Sequence, residues 1–261
     1  MNKSRGIILI ITAVAMVIPA AHGFAQENEW KFSVAPYAWL AGIDGHITAD
    51  GSQSSVDVSF SDMLDVLDFG GAVHIEAEKN KWGVFVDPTY MKISADEHVD
   101  PATVEIDAEM WLVEFGGRYG LGEWHVGSNK SRRLALDVLG GGRYWSLETE
   151  IDIDIPIAGV TFDAKDTVNW IDPFIGFRIR TNLTEKLLFN VRGDVGGFDI
   201  GDGSHLTWNV LAAFGYGFTE RTSLWLGYRA LNVDYEEGSG ADLFEFDVTM
   251  SGPIVGANFR F

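Results

Sequence analysis

The chain has 261 residues with no cysteine, 30 glycines, 13% aromatic residues and a formal net charge of −19. The lack of thiols excludes disulfides, thiolate metal sites and a cysteine nucleophile, and so acidic a chain will not bind nucleic acid by neutralising phosphates. Glycine and aromatic enrichment suits long, tilted, curved strands with aromatic belts.

The amino-terminus carries Lys3 and Arg5, an apolar run from Gly6 to Ile18 and a small-residue stretch ending at Ala25. That order predicts a cleaved signal peptide over 1–25. The apolar run is too short for a membrane-crossing helix, which needs about 20 residues. The remainder, 26–261, reads as one β domain.

Strand side chains point alternately to two faces, and alternation predicts ten strands. They are Lys31 to Leu40, Phe69 to Lys79, Trp82 to Ile93, Thr103 to Tyr119, Arg132 to Thr149, Val160 to Thr181, Lys186 to Ile200, His205 to Phe218, Thr222 to Tyr235 and Leu243 to Phe261. The segment 41–68 is expected to be a long outer loop, folded or partly plugging the barrel. Inside it His46 to Asp50 and Val56 to Phe60 alternate like strands, and Met63, Leu64 and Leu67 sit at helical spacing. If those short strands spanned, the count would rise to twelve. The acidic connections Ser94 to Ala102, Glu150 to Gly159 and Glu236 to Asp242 read as outer loops, opposite short turns such as Asn80 to Trp82 and Thr219 to Arg221.

The eighth strand shows the pattern most cleanly. Leu206, Trp208, Val210, Ala212, Phe214, Tyr216 and Phe218 share one face, while His205, Thr207, Asn209, Leu211, Ala213, Gly215 and Gly217 share the other. Large residues outward and small or polar ones inward is the pattern of a closed, antiparallel transmembrane β-barrel. Bacterial barrels have short periplasmic turns and longer outer loops, so turn lengths and an even strand count both place the termini in the periplasm.

The last strand carries one irregularity. Phe244, Phe246, Val248 and Met250 alternate with Glu245, Asp247, Thr249 and Ser251, but after Gly252 and Pro253 the apolar parity shifts to Val255, Ala257, Phe259 and Phe261. A β-bulge is expected there, because Pro lacks an N–H and a bulge leaves one residue unpaired.

At APYAWLAGIDG (Ala35 to Gly45), DPFIGFR (Asp172 to Arg178), RGDVGGF (Arg192 to Phe198), GYRALNVDYEEG (Gly227 to Gly238) and MSGPIVGANFRF (Met250 to Phe261), the chain resembles an uncharacterised family of proteobacterial outer-membrane β-barrel proteins. The resemblance covers nearly all of the mature chain. It implies a barrel in the bacterial outer membrane and carries over no catalytic, cofactor or ligand residue. Phe259 and the terminal Phe261 are similar to the insertion signal read by the outer-membrane assembly machinery.

The inward faces are expected to be charged. Lumen-lining candidates are His74, Glu76, Glu105, Asp107, Glu109, Asp137, Arg143, Arg178, Arg192, Asp194, Arg229, Glu245 and Asp247. About ten strands leave little bore, since eight already fill with side chains, so a salt-bridged, filled lumen and a structural or surface-interaction role come first. A narrow cation-preferring path is the second reading. An enzyme at the outer rim, using His46, His98 or His205 with Asp96, Asp100 or Asp202, is the third. The expected contacts are membrane lipid and lipopolysaccharide, with divalent cations at acidic stretches such as Ile151 to Asp154; no cofactor and no enzymatic activity are assigned.

Overall fold

The computed structural model describes residues 29–49, 51–99, 102–127, 132–155 and 160–261. The signal peptide predicted over 1–25 lies outside them. Among them twelve strands and one short α-helix follow in chain order, with a single 3-10 turn at Gly240–Asp242 before the last strand: β1 (Lys31–Trp39), β2 (Gly42–Ala49), β3 (Ser52–Val58), α1 (Phe60–Val66), β4 (Leu67–Lys79), β5 (Trp82–Val99), β6 (Ala102–Val126), β7 (Arg132–Ile155), β8 (Val160–Asn182), β9 (Leu187–Gly197), β10 (Leu206–Gly217), β11 (Thr222–Glu237) and β12 (Phe244–Arg260). Each strand from β4 to β12 pairs antiparallel with the next, and β1 pairs with both β4 and β12, which closes a ten-stranded barrel. Closure removes the sheet edges that water or lipid would otherwise have to satisfy.

The other two strands extend that barrel rather than widening it. Trp39 faces Ile254 and Gly42 faces Ser251, so β2 continues β1 along β12 in an unbroken register. β3 folds back on β2, and α1 returns the chain to β4. The helix starts where the Ser59 hydroxyl accepts from the Asp62 N–H at 3.2 Å, an N-cap for an otherwise orphaned donor. It buries Met63 among the apolar side chains of the interior. The short strands foreseen within 41–68 thus form, but as an outer hairpin.

Two expectations fail. Two of the acidic stretches read as outer loops are largely strand, whereas Glu236 to Asp242 is a connection beyond Glu237: β5 runs on to Val99 against a β6 that starts at Ala102, and β7 and β8 pair as far as Ile155 and Val160. Loops and strands are both polar in water, and only the pairing tells them apart. The expected bulge in β12 is also absent, since β11 pairs with β12 in one register from Thr222↔Phe259 to Glu237↔Phe244. Pro253 is accommodated as a gap in the ladder: Leu40 donates its N–H to the Pro253 carbonyl at 2.9 Å, and the proline has no N–H to return. A register shift of the bulge kind occurs instead on β6, between Gly120 and Gly122.

What changes at Gly252 is the surroundings. Even-numbered residues of β12 point inward throughout, with Phe246, Val248, Met250 and Ile254 buried, so Glu245, Asp247, Thr249 and Ser251 point outward. On β11 the outward residues run from Leu224, Leu226 and Tyr228 to Asn232, Asp234 and Glu236. The strands carry no slip; their outward face passes from an apolar medium into water. Aromatic pairs mark the limits of the apolar band, with Trp82 on Tyr119 at 4.7 Å and Tyr90 on Trp111 at 4.8 Å between ring centres. From Trp82 to Tyr90 along β5 is about 26 Å at roughly 3.3 Å per residue, or about 20 Å of height at a tilt near 40°, close to the apolar band of a membrane barrel. Beyond Tyr90 the outward side chains are Lys92 and Ser94, and their neighbours on β6 are Glu109 and Asp107.

Candidate functional site

The interior of the banded half is built from ion pairs in two layers. Nearest the termini, Glu76 on β4 accepts from Arg118 Nε at 2.6 Å and from the two terminal nitrogens of Arg178 at 2.7 and 2.9 Å. Asp137 on β7 gathers Arg118, Arg178 and Arg180 at 3.3, 3.1 and 3.1 Å. Glu78 completes this layer on Arg118.

The second layer centres on Glu114 of β6, which is 1% exposed. Arg143, Arg192 and Arg229 reach it from three different strands at 2.7, 3.0 and 2.7 Å. Asp194 takes Arg143 at 2.6 Å, Arg192 at 2.9 Å and the Asn209 amide at 2.9 Å. Arg229 continues to Asn209 and to the Tyr37 hydroxyl, and Tyr37 donates to Asp87 at 2.8 Å. His74 joins the layers, with Nδ1 2.9 Å from Asp87 and Nε2 3.3 Å from Glu76. Planar guanidinium forks suit this convergence, each meeting more than one carboxylate. A lone charge at such depth would carry a large desolvation cost, so every member depends on its partners. Phe174 adds its ring face to Arg143 at 5.3 Å and to Arg192 at 5.4 Å.

Beyond the second layer the interior turns apolar. The Arg229 guanidinium lies 4.7 Å from the Trp39 ring centre. Past it, Trp145, Trp170 and Tyr235 stack at 5.4 and 3.9 Å, packed with Leu112, Leu231, Val233, Met250 and the Met63 of α1. Asp172 holds this stack through neutral donors: Trp145 Nε1 at 2.9 Å, the Ser204 hydroxyl at 2.9 Å and the Ser204 N–H at 2.7 Å. Leu112, Trp145, Leu231, Val233 and Met250 are all fully buried, so the described part of the extended half is a filled core. At the opposite end a cavity of about 1050 Å³ runs up to the ion-pair layers, with Lys31, Lys81, Arg133, Arg260 and Phe261 among the residues at its opening.

Of the lumen-lining candidates, His74, Glu76, Asp137, Arg143, Arg178, Arg192, Asp194 and Arg229 meet in these layers. Glu105, Asp107, Glu109, Glu245 and Asp247 do not: they sit on the outward face beyond the apolar band, Glu109 pairing with Lys92 at 3.0 Å and Glu245 accepting from Thr48 at 2.8 Å. Their assignment to the lumen rested on the premise that the outward face is apolar along the whole strand. Glu114, Arg118, Asp87 and Asp172 were missed, though Glu114 and Arg118 share a face with Gly116 while Phe115 and Val113 occupy the other. That parity conflicts with an inward Glu109 and was the available signal.

Among the described residues the rim candidates form no compact site. His205, beyond the band at the β9–β10 turn, is exposed, bonds Asp199 and lies 3.8 Å from Glu236; its bond to Asp199 raises its pKa above the ordinary histidine value. His46 lies opposite Asp247 in the register. The side chains of Asp96, His98, Ile151, Ile153 and Asp154 lie outside the described residues, as does Asp100.

No family model matches the chain, and no curated protein matches it either. Among solved structures it is similar to Ail, the attachment invasion locus protein of Yersinia pestis, at 14% identity over 89% of this chain and 99% of that one, with a TM-score of 0.37. It is likewise similar to the outer membrane protease OmpT from Escherichia coli, at 7% identity over 92% and 99% with a TM-score of 0.47, and to Neisserial surface protein A, at 12% identity over 88% and 97% with a TM-score of 0.33. The closed, ten-stranded, transmembrane-type barrel stands on the chain's own pairing and outward band.

Proposed function

We propose that this chain is a non-catalytic, integral outer-membrane protein whose role is structural or surface-interacting. Both termini face the periplasm, and the extended half stands outside the cell. The observation that carries this reading is the filled apolar core of the extended half, above a lumen already closed by paired charges. A path for solutes needs a polar, hydrated bore, and the residues that would have made one cation-preferring point outward. The polar outer wall of the extension, with Glu105, Asp107, Glu109, Glu245 and Asp247 on it, supplies the surface for contact. Lipid and lipopolysaccharide are the nearest partners, with divalent cations bridging carboxylates to phosphate. Phe259 and Phe261, both exposed beside the termini, serve as the signal to the assembly machinery. Membership of the uncharacterised proteobacterial barrel family belongs to the same proposal and rests on the motifs above.

Planar-bilayer recording of the refolded mature chain tests it. The expected result is no conductance steps from the intact protein, and none from a variant lacking 52–66, which removes β3 and α1 but leaves both ion-pair layers in place. Steady cation-selective conductance from the intact chain would overturn the reading.

A further inference from the structure

The cavity at the terminal end is larger than packing defects leave, and its walls are unlike each other. We infer that it is a binding site for an amphiphilic anion, a carboxylate or phosphate head on an apolar body. One wall, from β4, β6, β7 and β8, presents the first ion-pair layer. The facing wall, from β9 to β12, presents Leu188, Leu211, Trp225 and Ile254. A volume of about 1050 Å³ reaches the upper end of the range that small-molecule sites occupy, about 300–1,000 Å³.

The sign of the ligand follows from the charges at the opening. Inside, Arg118, Arg178 and Arg180 are matched by Glu76, Glu78 and Asp137, and at the rim Arg133 is matched by Glu123. Lys31, Lys81 and Arg260 also line the opening and form no ion pair among the described residues. Set against the carboxylate of Phe261, they leave a positive surplus in a chain whose formal charge is −19. Arg180 pairs with Asp137 at 3.1 Å and lies 3.6 Å from Glu78, but its buried Nε lacks an acceptor, as the Oδ1 of the neighbouring Asn190 lacks a donor. A head group entering between the lysines and Arg180 gains charged donors, while its apolar body covers Leu211 and Trp225. Opposite walls of this kind favour a ligand with both characters over a simple ion or a simple hydrocarbon.

Titration calorimetry of the mature chain in zwitterionic nanodiscs, with 2-naphthoate as probe and 2-naphthamide as its uncharged match, tests the inference. Naphthoate should bind at least about tenfold tighter than the amide, and tighter at low than at high salt. The K31Q/K81Q/R260Q variant should remove that preference, and Leu211→Trp should abolish binding of both probes while heat-modifiable gel migration confirms a folded barrel. Displacement of bound naphthoate by a lysophosphatidylglycerol would make a lipid the ligand, and retention in its presence would make it a soluble anion. Equal affinity for the two probes, no binding of either, or a triple variant indistinguishable from the parent would overturn the site. None of these outcomes depends on whether the barrel conducts.

Discussion

Glu114 and Glu109 lie five positions apart on β6 and differ in everything but their chemistry. Glu114 is the point on which Arg143, Arg192 and Arg229 converge from β7, β9 and β11, so it ties distant parts of the wall together. Removing one charge of a buried set strands the others in a medium that cannot solvate them, at about 3–5 kcal/mol. Glu109 shares an exposed pair with Lys92, a contact worth about 1 kcal/mol or less in water. Glu114→Gln should therefore lower the unfolding free energy in urea by several times as much as Glu109→Gln. Equal losses would place both carboxylates in one environment and contradict the outward assignment of Glu109. Sequence alternation alone made these residues look alike, because it reports which residues share a face and leaves open what each face meets.

At the scale of elements, the seam between β1 and β12 is where the barrel closes and where its two halves join. A Cβ added to Gly252 would sit 1.9 Å from the Leu40 carbonyl oxygen and 3.0 Å from the Ala41 Cα, both backbone atoms that cannot swing away. The glycine is thus required by the close approach of the strands beside the gap that Pro253 leaves in the ladder. Gly252→Ala should cost about 1–3 kcal/mol, as overpacking does, and reduce the fraction of heat-modifiable barrel after refolding. Gly71→Ala, where a Cβ would meet nothing within 4 Å, is the control and should refold as the parent does. Equal refolding of the two would show that the strands approach less closely at this seam. The sequence marked Gly252 and Pro253 as irregular but suggested a bulge, since a parity change of apolar residues looks the same whether the backbone slips or the solvent changes. Strand existence and order from β4 onward were legible, because large outward and small inward residues recur at period two. The extra length of β5 to β8 was not, because polar alternation in water resembles a loop until its partner strand is known.

The whole molecule is one barrel in two media, and the contents of its lumen complement what lies outside. Where the outer wall is apolar, as at Leu226 and Val255, the inside is ionic; where the outer wall is polar, as at Asp247 and Thr249, the inside is Val248 and Met250. A strand has two faces, and each half of this barrel gives its apolar face to whichever side lacks water. Since the native chain has no cysteine, a single introduced thiol reports its own surroundings without interference. In nanodiscs, a bulky water-soluble maleimide should label Asp247→Cys and Thr249→Cys rapidly. Val248→Cys and Met250→Cys should stay unlabelled because they are packed inside, and Leu226→Cys and Val255→Cys because lipid covers them. A bulge at Gly252 would turn Val248 and Met250 toward lipid and Asp247 toward the lumen. Protection at 247 and 249 as well as at 248 and 250 would then restore the slipped strand and remove the half of the barrel that stands in water.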